Sequence, residues 1–379
     1  MMKPAVPLIA LALLAVSPLE AFAQGEVIRS EKANFRLERV AGPLEHPWGL
    51  AFLPDGSMLV TERPGRMRLA TPQGRLSEPL KGLPAIYNSG QGGLLDVLAA
   101  PDFAQSRRVY FSYSEPGEGG VNGTAIAHAR LSDDGTALEQ LTVIFRQLPK
   151  FNSRQHFGNR LAFAPDGTLF ATLGDRGSQR DLAQDLGTHI GKIVRINPDG
   201  SVPKDNPFVG RTDARPEIYS YGHRNPQGLT IHPETGQLWE HEHGARGGDE
   251  INLPQPGLNY GWPVISYGVH YSGAKIGEGQ KRDGMEQPIH YWDPSIAPSG
   301  MAFYTGDTFP GWKGNLFVGA LVKTHLARLE IDGDRVVREE RLLEEWGERI
   351  RDVRAGPDGA IYLLNDHPDA AIWRLVPVE

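Results

Sequence analysis

The sequence contains no cysteine. That excludes disulfides, thiolate metal sites, a lipid-modified N-terminal cysteine and c-type haem attachment. It has no excess of positive charge either. The formal net charge is −7, which argues against a general nucleic-acid footprint. Beyond residue 24 no segment shows a sustained 3.6-residue apolar period with caps, so a helical architecture is excluded. Only one apolar run stands out, Val6–Val16, and it is too short to span a bilayer comfortably.

That run has a purpose of its own. Lys3 precedes it and Ala21-Phe22-Ala23 follows it, the n-region, h-region and A-x-A site of a secretory signal peptide. Residues 1–23 are therefore expected to be removed, leaving Gln24 as the mature N-terminus of an exported, periplasmic protein without stable membrane insertion. The remaining chain, 24–379, carries most of the 45 Gly and 30 Pro. This is a turn-rich globular composition, long enough to bury a sizeable core.

A repeat dominates it. Gly49–Glu62 reads GLAFLPDGSMLVTE: an apolar strand, a Pro-Asp-Gly turn and a second apolar strand. The pattern returns at Leu161–Asp175 and Val353–Asp366, with looser copies at Leu94–Ser114, Gly228–Gly244 and Gly300–Leu321. Proline pre-sets the first turn dihedral and Asp-Gly tolerates the rest, so each copy predicts a β-hairpin. Second hairpins are expected at Ala129–Leu141, Ile193–Val202 and Ala327–Val336. Two hairpins per copy make a four-stranded antiparallel sheet, and six copies predict an all-β, six-bladed β-propeller in one domain. The last copy ends at Ala371–Val376 without a partner strand; Phe35–Val40 is expected to supply it and close the ring. A β-sandwich would not explain six similar hairpins.

Polar clusters fall at the strand ends. His156, in QHFGNR, precedes the third hairpin, and Asp175 ends it. Folding back would bring them together, with the carboxylate fixing the imidazole tautomer; an ordinary turn pair is the plainer alternative. Within Tyr219–Pro263, expected as the fourth blade, Arg224, Asn225 and Gln227 could face a ligand, the guanidinium polarising a carbonyl or serving a structural ion pair. His241 and His243 share a strand face, but no third zinc ligand is evident. Backbone oxygens of the Gly244–Gly248 turn, with Asp249 or Glu250 nearby, suit a hard cation such as calcium better. Arg349 and Arg351 alternate and should share a face. With Lys323 they make three cations suited to a ligand with several carboxylates, though a solvated strand face is open to each singly. Gln91 stands among glycines, where backbone can approach a ligand.

Taken together, GQGGLLDV, QHFGNR with LGDRG, YGHRNPQGL, EHGARGGDEINL with NYGWP, and RIRDVRAGPDG resemble the soluble aldose sugar dehydrogenases that depend on pyrroloquinoline quinone (PQQ). The motifs span Gln91 to Gly359. The resemblance implies oxidation of an aldose at C1, with His156 as general base, Asp175 orienting it and Arg224 at the quinone oxygen. It implies PQQ held by Gln91, Asn225, Lys323, Arg349 and Arg351, and calcium held by the main-chain oxygens of Gly244 and Ala245. Electrons would leave to an external acceptor, a quinone or a separate cytochrome. Two positions depart from the family pattern: Asn159 where Gly or Ser is usual, and Ala245 in place of Pro. A calcium-dependent lactonase-type hydrolase and a non-enzymatic sugar- or protein-binding propeller are the competing readings.

Overall fold

The turn chemistry does what its residues dictate. In a computed structural model, which describes residues 26–378, the three Pro-Asp-Gly copies fold alike. Asp55, Asp166 and Asp358 each accept a hydrogen bond from the main-chain N–H two residues on, at 3.0, 2.9 and 3.1 Å. Gly56, Gly167 and Gly359 take φ of 81°, 84° and 78°, a region open to glycine at no steric cost.

These hairpins build six antiparallel sheets arranged as a six-bladed β-propeller. The second to fifth sheets have four strands each. The first has three, Pro47–Phe52, Met58–Glu62 and Arg66–Ala70; its fourth strand shrinks to a single bridge between Ala70 and Leu76. The sixth has five, because Asn34–Leu44 pairs with Ala370–Pro377 and Ile28–Arg29 adds outside it. The ring thus closes as expected, over a longer strand than Phe35–Val40. The segment expected as a signal peptide, residues 1–23, lies outside the described residues. Among the described residues no helix is long and apolar enough to cross a membrane.

Two expectations need correction. The Ile193–Val202 turn forms, with Asn197 N–H donating to the Ser201 carbonyl at 2.8 Å, but no strand returns directly from it. The outer strand of that sheet is Ile218–Tyr221, pairing with Lys192–Val194. Tyr219–Pro263 is consequently not a blade. Its first residues finish the third sheet, and the fourth begins at Pro226, leaving Arg224 and Asn225 on the link between the two.

Apolar strand faces pack against neighbouring blades. The six largest clusters of buried apolar side chains fall one in each gap between adjacent sheets, as with Tyr110 and Ile126 of the second blade against Leu161 and Val194 of the third. The positioning of the site comes from a different feature. In every blade the innermost strand slips register against its neighbour near its start. Such bulges re-aim side chains. Here they turn Trp48, Leu95, Gln227 and Arg351 into a cavity at the top of the axis.

Candidate active site

Beneath that cavity the inner strands are tied by charge. Arg160, buried in the third blade, donates to Asp96 of the second and Asp352 of the sixth at 3.1 and 3.0 Å. Arg354 reaches both carboxylates as well, at 2.7 and 2.9 Å. Two guanidinium groups and two carboxylates neutralise one another. The Arg160 guanidinium also lies 4.3 Å from the centroid of the Trp48 ring, a cation–π contact that carries the network up to the cavity floor.

The cavity, about 270 Å³, is walled by Trp48 and Phe157 and ringed by Arg63, Gln91, Asn225, Arg349 and Arg351. Arg349 and Arg351 do share a face, and both donate to Asp366, at 3.3 and 3.2 Å. His46 meets its other oxygen at 2.8 Å. Burial pushes the Asp366 carboxyl up, but Arg351, His46 and Arg349 together hold it well below the usual carboxylate range. Burial disfavours the charged form of Arg351, a cost that an anion in the cavity would offset.

A wider cleft of about 680 Å³ adjoins it, sharing Gln91 and His243 and adding His156, Arg224, Gly244, Ala245 and Lys323. Asp175 sits behind, 1% exposed. His156 Nδ1 and Asp175 Oδ1 are 2.6 Å apart. The same carboxylate accepts from Gly177 N–H at 2.7 Å and from the Trp262 indole at 2.8 Å. Three donors orient Asp175, which fixes Nδ1 of His156 as the protonated nitrogen and leaves Nε2 free to accept a proton. His156 itself has φ 49°, an uncommon conformation that functional sites tolerate. Gln91 Oε1 accepts its main-chain N–H at 2.7 Å.

Arg224 is aimed by Glu242, whose carboxylate accepts the main-chain N–H groups of Arg224 and Asn225. Its guanidinium lies 5.2 Å from the Trp262 ring centroid and donates through Nη1 to the carbonyls of His243 and Gly244; its Nε is buried without a partner. Gly244 is pinned by Asp249, whose carboxylate also accepts from Ser295 Oγ, Ile296 N–H and Ala297 N–H at 2.7, 2.8 and 2.9 Å. Asp249 is thus committed to shaping the turn. Burial, reinforced by Glu242, pushes the Glu250 carboxyl well up. The same two causes raise Glu240. His223, Glu240 and Glu242 bring one ligand atom each within 4.8 Å of one another.

Of the residues singled out from sequence, His156 and Asp175 meet directly and Arg349 and Arg351 share a carboxylate. Gln91, Asn225, Arg224, Gly244, Ala245 and Lys323 line the two connected spaces. His241 is buried with both ring nitrogens unpartnered among the described residues and lines neither. Asn159 takes φ 83° and is fully buried, a left-handed conformation that Asn tolerates better than most side chains, at a position where Gly or Ser is expected. Trp262, Asp366 and Glu242 were missed, and Asp249, expected beside a cation, instead holds the turn. One clue existed: in each Pro-Asp-Gly copy a carboxylate, Glu62, Asp175 or Asp366, follows the turn glycine by six to eight residues, at or just past the end of the second strand.

A family model described as glucose/sorbosone dehydrogenase matches residues 44–374. The chain belongs to this family. It is 49% identical to the aldose sugar dehydrogenase YliI of Escherichia coli, over 91% of this chain and 94% of that protein. A solved glucose dehydrogenase structure is 54% identical, with a TM-score of 0.88 over 90% of this chain and 99% of that one. The PQQ-bound aldose sugar dehydrogenase of Streptomyces coelicolor is 29% identical, with a TM-score of 0.76 over 91% and 98%.

The residues present fit a flat polyanion. The cavity offers aromatic walls, three guanidinium groups and a single carboxylate, and Arg224, its Nε without a partner, lines the adjoining cleft. Carbonyl oxygens at Gly244 and Ala245 are hard donors suited to calcium. The Arg224 guanidinium now bonds the Gly244 oxygen, so an ion there would compete with it.

Proposed function

We propose that the protein oxidises aldose sugars at C1 to the lactone, with PQQ as hydride acceptor and calcium as its companion. The observation that carries this reading is the His156–Asp175 pair in a cleft that adjoins a cavity with more cations than carboxylates. A hydrolase would have no use for that excess, and a binding propeller no use for the oriented base. PQQ, when bound, supplies a quinone able to take up a hydride. Gln91, Asn225, Lys323, Arg349 and Arg351 are the residues to hold its carboxylates and ring, and the Gly244 and Ala245 oxygens those to hold calcium.

His156 does the protein's share of the chemistry. Its Nε2 accepts the proton of the C1 hydroxyl as the C1 hydride departs, and Asp175 stabilises the imidazolium that results. Arg224, poised on main-chain carbonyls, provides fixed positive charge where negative charge develops on an oxygen. The electron pair then passes to an external acceptor, a quinone or separate cytochrome. Export to the periplasm after removal of residues 1–23 is part of the same proposal.

The test is reconstitution of purified protein with PQQ and calcium, followed by oxidation of mono- and disaccharides with a dye acceptor. Turnover that needs both additions is expected. No turnover on any sugar, with an unchanged PQQ absorption spectrum, would sink the reading. N-terminal sequencing of periplasmic material should begin at Gln24.

A further inference from the structure

One cation in the cavity wall has no carboxylate partner among the described residues. The ion pairs there run to Asp366 from Arg349, Arg351 and His46. Arg63 lines the same cavity and is in none of them. It follows Glu62, at the end of the second strand of the first blade, and its main chain is locked on both sides. Its N–H donates to the His46 carbonyl at 3.0 Å, and its carbonyl accepts from Leu94 N–H at 3.1 Å. One guanidinium nitrogen, Nη1, donates to the Gly90 carbonyl at 2.7 Å. A guanidinium has five N–H groups, so that contact leaves most of its donor capacity unused.

The path of the side chain is built into the backbone. A Cβ on residue 93 would run into both the Arg63 carbonyl and its Cγ. Gly93 therefore clears the way for the Arg63 stem, beside the turn that presents Gln91. Arg63 is also close enough to Arg351 to oppose its charge electrostatically. Two cations held near each other repel, and an anion placed between them would relieve that repulsion.

We propose that Arg63 is an additional anion-binding residue of the cavity, taking a carboxylate group of the bound ligand from the first-blade side. The identity of that ligand as PQQ rests on the reading above; the need for a carboxylate does not. Arg63 acts across the cavity from Asn225, and its bond to Gly90 couples the anion to the turn whose next residue, Gln91, holds the His156 main chain.

Binding, not turnover, tests this. PQQ is titrated against the calcium-loaded wild type, Arg63→Gln, Arg63→Lys and Arg349→Gln, reading tryptophan quenching, with citrate as an unrelated tricarboxylate probe read by thermal shift. Arg63→Gln is expected to weaken PQQ about tenfold or more, with Arg63→Lys losing less because the charge remains. The citrate-induced shift should shrink in Arg63→Gln. A Gly93→Ala variant, which keeps the charge but blocks its path, should weaken PQQ as well, while circular dichroism checks that each variant is folded. If Arg63→Gln binds PQQ and citrate as wild type does while Arg349→Gln does not, the Arg63 assignment is overturned and the functional reading stands. If wild type ignores PQQ but loses its citrate response on Arg63→Gln, the functional reading falls and the anion site stands. Wild type that binds neither probe overturns both.

Discussion

Two groups of charges sit one above the other on the propeller axis, and they are balanced differently. In the lower group Arg160 and Arg354 face Asp96 and Asp352, so each guanidinium has its carboxylate. In the upper group Arg63, Arg349 and Arg351 line a cavity with one carboxylate, Asp366, and Lys323 lines the adjoining cleft. Both contain closely spaced arginines and aspartates, and sequence spacing alone does not separate them. What separates them is neutrality. A buried network that closes on itself holds strands together; one that does not close has charge left over for an anion from outside.

The largest effect should come from breaking the closed group. Asp96→Ala leaves Arg160 and Arg354 short of a partner and should cost about 3–5 kcal/mol of stability, measured by urea unfolding. Loss below about 1 kcal/mol would mean that the floor is not a structural lock. Next comes the site itself. His156→Ala should lower turnover by roughly 10² or more with little effect on PQQ binding; a variant that loses PQQ yet keeps turnover per bound cofactor would refute the base assignment. Asp175→Asn, which disturbs the tautomer while keeping the shape, should also lower turnover strongly. Its diagnostic readout is an altered pH–rate profile, which a merely structural aspartate would not produce.

The smallest effect concerns Asp366. Its folded-state pKa is held low, so its ionised form stabilises the fold fully above the unfolded carboxylate value of about 3.9. That contribution is lost only as pH falls below it, toward the folded pKa. The stability difference between wild type and Asp366→Asn should therefore narrow as pH falls through about 4 and below. A difference that disappears already near neutrality would show that Asp366 is not the anchor of the two arginines.

The fold was legible where it depended on local turn chemistry. Asp55, Asp166 and Asp358 each cap their own turn, so a four-residue window holds the information. Asn197–Ser201 has the same chemistry and formed the same turn, yet its strand partner came from Ile218–Tyr221. A turn says where the chain reverses, not which segment lies beside it afterwards. The site divides in the same way. His156 and Asp175 flank one hairpin, so its folding joins them. Trp262 reaches Asp175 from the long excursion at residues 253–289, and Asp366 meets His46 across the ring closure. Those contacts depend on the assembled ring and on the register slips of its inner strands.

The ring closure has a consequence for how the molecule comes into being. Phe35 pairs with Pro377, and Leu44 with Ala370, so strands at opposite ends of the described chain are neighbours. Such distant pairing brings a large loop-closure cost and slow folding. During synthesis the first strand must stay without its mate until the last is made, presenting an open edge that other chains could join. The same geometry that seals the finished ring leaves the nascent chain exposed for longest at the end made first.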